Sequence, residues 1–242
     1  MKKIIAIPRI NALGLKGPEK FPGLLLKKIP FSIIKIHNQD ISKDEKEIYK
    51  TINTELKQNN KLTLIGGDHS ITYPSAKAFL KNYKQKSFII IFDAHADCMP
   101  PMKEPTHEEF LAGLIKIKWP TKNIIIIGLR KVEPEEQKLL EKHNIKYFSK
   151  YNKNILNQIN KLTKNKKIYL SIDIDAIDPR YAPAVNYQEK KGLTKKQFFK
   201  IVKSIHKKQQ PIITDIVEIV PHKDIKNKTL KISKKIIRII TK

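Results

Sequence analysis

The chain has 242 residues, 40% of them hydrophobic, which suits one α/β unit with a large buried core. No run of about 18 apolar residues free of charge occurs, so no membrane span is expected, and Met1 to Ile10 meets charge and proline too soon for a signal peptide and reads as a first strand. The net charge of +26 would fit a nucleic-acid binder, but only Arg9, Arg130, Arg180 and Arg238 are arginine, lysine is spread along the whole chain and no nucleic-acid motif accompanies it; the charge reads as solvated surface, with nucleic acid reachable only by non-specific attraction.

The predicted elements alternate. Ile4 to Ile7 and Phe31 to Ile36 are strand-like, and Asp44 to Leu56 has helical spacing. Strand Leu62 to Ile65 precedes helix Pro74 to Asn82, strand Phe88 to Phe92 precedes helix His107 to Ile117, and strand Ile124 to Ile127 precedes helices Pro134 to His143 and Ile155 to Leu162. Strand Ile168 to Ile172, helix Thr194 to His206, strand Ile212 to Val220 and a terminal helix Leu230 to Ile240 complete the chain. Thr194 followed by Gln197 resembles a capping box. The apolar runs are isoleucine-rich and nearly continuous, as parallel strands covered on both faces require. With no repeat, hinge or low-complexity linker, residues 1–242 read as one α/β domain: three layers, a doubly wound and mostly parallel sheet with helices on both faces.

Three polar clusters interrupt the pattern, each at a strand end: Gly66-Gly67-Asp68-His69-Ser70, Asp93-Ala94-His95-Ala96-Asp97, and Ser171 to Pro179 with Asp173 and Asp175. In an open parallel sheet, ligands bind at the carboxyl ends of the strands. If the chain stays extended there, Asp93, His95 and Asp97 project together, as do Asp173 and Asp175. Read singly, each cluster is a turn or a surface loop, and Asp178-Pro179 is a turn signal. Jointly they bring six side chains together: His69, Asp93, His95, Asp97, Asp173 and Asp175. Four carboxylates pressed together repel unless cations relieve them. Six ligands exceed the needs of one small ion, and oxygen-rich ligation with two imidazoles and no thiolate suits manganese better than structural zinc. Two such ions can activate a shared water. Cys98 reads as packing. As the only cysteine it makes no internal disulfide, which fits a reducing cytoplasm. His37, His143 and His206 read as surface or core, and His222 is left open.

GGDHS at Gly66 to Ser70, DAHAD at Asp93 to Asp97, SIDIDAIDP at Ser171 to Pro179 and DIVEIVP at Asp215 to Pro221 resemble the ureohydrolase family, which includes arginase, agmatinase and formiminoglutamase. Weaker similarity runs from the first strand through Ile127 to Arg130 and on to Gly192 to Thr194. The resemblance implies two Mn2+ ions per chain. It makes His69, Asp93, Asp97 and Asp173 ligands of one ion and Asp93, His95, Asp173 and Asp175 ligands of the other, Asp93 and Asp173 bridging. It also implies a small cationic guanidino substrate that meets Glu218, proton transfer by His107 at the spacing of agmatinases, and a homo-oligomer. In physical terms, Glu218 can pair with a guanidinium, Asp97 can orient the attacking water, and His107 can protonate the departing amine.

The sequence departs from that pattern near the substrate. Val185 to Lys191 replaces a Gly/Thr-rich loop, Val220 stands where Asn is common, and Cys98 to Met102 lacks the Ser/Asn contacts of arginases. Agmatine, hydrolysed to putrescine and urea, is therefore expected before arginine or another guanidino or formimino compound. A basic nucleic-acid-associated protein that keeps the fold without the activity is the reading from another class.

Overall fold

The computed structural model describes residues 2–25 and 30–241. Among the described residues, eight parallel strands form a single sheet: β1 (Lys2–Ile7), β2 (Ser32–Ile33), β3 (Lys61–Gly66), β4 (Ser87–Phe92), β5 (Ile124–Ile127), β6 (Lys146–Phe148), β7 (Lys167–Asp173) and β8 (Ile213–Val217), in the order β2-β1-β3-β8-β7-β4-β5-β6. The helices are α1 (Phe21–Leu25), α2 (Ile41–Gln58), α3 (Thr72–Tyr83), α4 (Phe110–Lys116), α5 (Pro134–Lys142), α6 (Ile155–Leu162), α7 (Lys195–Lys208) and α8 (Lys228–Ile240). No helix among the described residues is long and apolar enough to cross a membrane.

The continuous isoleucine runs are explained by two cores, one on each face of the sheet. Phe88, Ile90 and Phe92 of β4 join one core with α1, α6, α7 and α8. Ile89 and Ile91 of the same strand join the other, with α2, α3, α4 and α5. The central strands thus bury both sides, the arrangement of a doubly wound sheet. The helices start where local chemistry stops the chain. Thr194 Oγ1 accepts from Gln197 N (3.3 Å) and Gln197 Oε1 accepts from Thr194 N (2.9 Å), which makes the capping box of α7.

The differences from the expected elements have local causes. The Phe31 to Ile36 run is a strand only at Ser32 and Ile33, both exposed at the sheet edge, with Ile34 N donating to Ala6 O (3.0 Å) just beyond. β6 and α1 were not expected. β6 is three residues long with two of them exposed, and α1, Phe21–Leu25, contains Pro22 and Gly23, which are poor helix signals. The expected helix from His107 begins instead at Phe110, because residues 107–109 form turns. The last strand ends at Val217, and Glu218 turns into the left-handed region at φ 63°.

The strand order decides where chemistry can gather. The chain builds β1 to β3 on one side and β4 to β6 on the other, then returns to insert β7 and β8 between them. The carboxyl ends of β3, β8, β7 and β4 therefore sit side by side although their residues lie as far apart in sequence as 66 and 217. Backbone bonds lock the first of these ends. Gly67 N donates to Ile7 O (2.9 Å), Asp68 N to Arg9 O (3.2 Å), and Glu218 N to Gly67 O (2.9 Å). A Cβ on Gly67 would lie 1.8 Å from the Arg9 carbonyl oxygen, so only glycine lets these chains approach. Gly67→Ala is expected to cost about 1–3 kcal/mol by overpacking and to displace His69; urea denaturation of metal-free protein measures the first and metal titration the second.

Candidate metal centre and substrate pocket

Three of the four adjacent strand ends, those of β3, β4 and β7, carry the six expected ligands, and β8 carries Glu218. His69 opens a short 3₁₀ turn after β3, Asp93 follows β4, Asp173 ends β7, and Asp175 lies in the 3₁₀ turn Ile174–Ala176. His69 Nδ1 lies 3.0 Å from Asp93 Oδ2, 2.9 Å from Asp97 Oδ2 and 3.6 Å from Asp173 Oδ2. His95 Nδ1 lies 2.8 Å from Asp175 Oδ2 and 3.6 Å from Asp93 Oδ1. Two groups each able to hold an ion result: His69, Asp93 and Asp97, and Asp93, His95 and Asp175, with Asp93 in both.

The expected alternation along an extended chain is not how they converge. After Phe92 the chain bends at Ala94 and His95, and Asp97 takes φ 49°. The bend sends His95 and Asp97 to opposite sides of Asp93, so the motif serves two groups instead of one row. The Asp173–Asp175 pair likewise forms a turn, in which Asp175 N donates to Asp173 Oδ1 (2.8 Å). Asp175 is then aimed by Ala94 N, which donates to its Oδ1 (2.9 Å) and leaves Oδ2 toward His95. Small side chains at Ala94 and Ala96 fit because both are buried.

His69 is oriented by residues whose role was not legible in the sequence. Asp215, buried on β8, accepts from Tyr169 OH (2.6 Å), Ser171 Oγ (2.7 Å), Thr72 Oγ1 (2.9 Å) and Ile172 N (3.2 Å). Since the Ser171 hydroxyl hydrogen goes to Asp215, Ser171 Oγ accepts from His69 Nε2 at 2.9 Å. Once His69 gives up its second proton, Nδ1 is the nitrogen left with a lone pair facing the acids. The signals were the polar Ser171 and Asp215 inside mainly apolar strands, each opening one of the motifs quoted above.

Metal ions fit this floor. His69 Nδ1 and Asp93 Oδ2 are buried and have no aligned hydrogen-bond partner, although each lies beside the other's charge. Such orphaned atoms are what a cation satisfies. The electrostatics agree. Burial, then the charge of Asp93, pushes Asp97 up to about 8. Burial, then Asp175 and Asp93, pushes Asp173 well above the carboxylate range. Burial opposes a charge on His95, but Asp175 and then Asp93 outweigh it and hold its pKa at about 12. His69 is raised in the same way by Asp93 and Asp97. Cys98 takes no part: it is buried, and burial raises its thiol far from ionisation.

Above this floor lies a pocket of about 230 Å³. His95, Asp97, Asp173, Asp175 and Glu218 form its depth, and Met99, His107, Asn186 and Tyr187 contribute walls. Glu218 is buried, and its Oε1 accepts from His69 N at 2.7 Å. Burial, then Asp68, raises its pKa well above the usual range. His107 is 6% exposed, and neither ring nitrogen has a hydrogen-bond partner. Glu108, Glu133 and Glu189 also line the pocket; its one lysine, Lys131, is paired with Glu133 at 2.8 Å.

Metal binding must displace the protons that the imidazoles and Asp97 hold near neutral pH. Ions bind the deprotonated ligands, so affinity should fall as pH falls from about 8 to about 6. Titration calorimetry of Mn2+ in buffers of different ionisation enthalpy should report proton release; buffer-independent heats would contradict these protonation states. Ser171→Ala should weaken metal affinity about 10- to 100-fold by freeing the His69 ring, read by competition with a chelating dye.

Residues 20–241 match the family model described as the Arginase family. The arginase of Plasmodium berghei (strain Anka) is 33% identical over 78% of this chain, and the chain spans 61% of that relative's length. Among solved structures, the arginase of Entamoeba histolytica in complex with L-ornithine superposes with a TM-score of 0.88 at 24% identity, covering 99% of this chain and 98% of that one. The proclavaminate amidino hydrolase of Streptomyces clavuligerus gives 0.86 at 18% identity, covering 99% and 90%. A parallel sheet ordered around four adjacent acidic strand ends, matched by a family model over nearly its whole length, places this chain in the Arginase family.

Proposed function

We propose that the chain is a manganese-dependent hydrolase with two ions that releases urea from a guanidino compound, agmatine before arginine, in the reducing cytoplasm. The observation that carries this reading is one pocket with two overlapping His/Asp groups at its base, a buried carboxylate beside them, and carboxylates at its walls.

Cations held by His69, Asp93, His95, Asp97, Asp173 and Asp175 would supply Lewis-acid activation of a water. The protein's own residues do the rest. Glu218, fixed by the His69 amide, receives the cationic guanidinium, whose charge also relieves the energetic cost of keeping that carboxylate ionised in a buried site. Asp97 accepts a hydrogen bond from the attacking water and so sets its direction toward the central carbon. The collapsing adduct must lose an amine, a poor leaving group unless protonated. His107, buried in the wall with neither nitrogen hydrogen-bonded and Nε2 3.6 Å from Glu108 Oε1, delivers that proton.

Agmatine carries a second cation where arginine carries an ammonium and a carboxylate. Glu108 and Glu189 meet the pocket, Lys131 is already paired, and the 98–102 loop offers the apolar Met99. A carboxylate would be repelled there. One observation favours arginine as the second reading: Asn186 Nδ2 is buried without a partner in the pocket wall, while its Oδ1 accepts from Lys223 Nζ at 2.9 Å. That amide is a free donor for a carboxylate.

With Mn2+ loaded to two equivalents, kcat/KM for agmatine should exceed that for arginine by at least about tenfold, or about 1.4 kcal/mol. Equal or faster arginine turnover, lost in Asn186→Ala, would move the reading to arginase. No urea from either, with formamide from formiminoglutamate, would reject both. His107→Ala should lower kcat more than it raises KM; an unchanged kcat would assign proton delivery to solvent. Glu218→Gln should reduce kcat/KM about 10- to 100-fold through loss of one charge-assisted pair.

A further inference from the structure

The lysines are spread along the sequence, but the carboxylates are not spread over the fold. Helix α7 carries Lys195, Lys196, Lys200, Lys203, Lys207 and Lys208 and no Asp or Glu. Helix α8 carries four lysines and Arg238, and α6 carries Lys161, again without an acid. These three helices lie on the same face of the sheet, and α7 packs between α6 and α8. Helix α2 on the opposite face has as many acids as lysines. Beyond residue 142 nearly every acid is drawn into the site or its loops, and Asp224 is spent on the first turn of α8, accepting from Thr229 N and Leu230 N.

We propose that the α6–α7–α8 face binds duplex nucleic acid through its phosphates, without sequence preference. The face is shaped as well as charged. Between α7 and α8 lies an open furrow of about 720 Å³, walled by lysines that include Lys196, Lys200, Lys203 and Lys235. Lys235 rests over the Phe199 ring within the furrow (4.5 Å), and Lys200, also on its wall, lies over Tyr151 outside it (5.7 Å). Phosphate contact needs only such point charges, and it supplies non-specific affinity by releasing counterions. The chemistry favours phosphates over a lipid surface. An interfacial helix inserts large apolar side chains, whereas the apolar residues of α7 and α8 are buried against the sheet and their exposed residues are mainly lysine. Base stacking is disfavoured too, since Phe199 is buried beneath Lys235. The same charge opposes self-association through this face.

The test is fluorescence anisotropy of the full chain with a mixed-sequence duplex of about 30 base pairs, from roughly 50 to 200 mM salt. Binding should weaken linearly on a log–log scale. Reversing four furrow lysines (Lys196→Glu, Lys200→Glu, Lys203→Glu, Lys235→Glu) should reduce affinity at least tenfold and lower the salt slope by about 3 to 4. The four Lys→Gln changes should act in the same direction by less, which guards against misfolding of the reversed variant. Reversing Lys43, Lys46, Lys50 and Lys57 on α2 changes net charge equally and should lower affinity far less. Equal losses from the two faces would reduce the effect to net charge and overturn the proposal. No binding at the lowest salt would overturn it, as would tighter binding to phosphatidylserine vesicles than to the duplex.

Discussion

The structure depends on keeping four carboxylates together at the buried ends of neighbouring strands. Asp93, Asp97, Asp173 and Asp175 are all less than a tenth exposed, and burial, then the charge of neighbouring aspartates, raises Asp97 and Asp173 above the usual carboxylate range. Without cations, the two imidazoles must carry protons to offset that charge. The surrounding fold is what prevents the cluster from opening. Asp93, Asp173 and Asp175 are each held by a backbone amide and Asp97 lies against His69, and the four strands beneath are bonded in register to both neighbours. Repulsion stored in a rigid frame is binding energy for divalent cations, because the acids cannot relax away before the ions arrive.

That frame also explains why Asp215 matters although it lies outside the metal groups. A buried carboxylate with four donors is a fixed point. Ser171 transmits its position to the His69 ring, and the His69 amide transmits position onward to Glu218. The metal floor and the residue proposed to meet the guanidinium thus share one hydrogen-bonded chain running across β8, β7 and β3. A change in Asp215 should reach both ion affinity and substrate affinity, whereas a change in His107 should leave ion affinity untouched.

Much of this was legible in the sequence because parallel strands buried on both faces leave continuous isoleucine runs, and polar residues that interrupt such runs stand out. The six ligand positions follow from that contrast. The local path was not legible. Periodicity assumes that an element continues, and at Asp97 and Glu218 the chain leaves the strand for left-handed backbone. The Phe31 to Ile36 run overstates the two-residue β2, the short β6 carries too little pattern to register, and Arg9, buried beside the His69 loop, looks like any surface arginine until Gly67 is seen against its carbonyl. Charge was the least legible property. A count of +26 describes no surface, because folding gathers acids at the pocket and leaves α6 to α8 without any.

This separation resolves an apparent conflict. A protein with so large a positive charge should repel a cationic substrate, yet the proposed chemistry requires one. Attraction between exposed charges is screened beyond about 8 Å at physiological ionic strength. The pocket opens at the carboxyl edge of the sheet, and the lysine furrow lies on the helical layer across one face, so each presents mainly its own local charge. An approaching dication meets Glu108, Glu133 and Glu189 at the pocket before it reaches Glu218. At low ionic strength the screening length grows to about 30 Å in 0.01 M salt, the basic face is felt at the pocket, and capture of a cationic substrate should slow. The dependence of kcat/KM on salt is therefore inverted relative to an enzyme whose whole surface attracts its substrate: it rises as salt is first added, then falls once the pocket carboxylates are themselves screened.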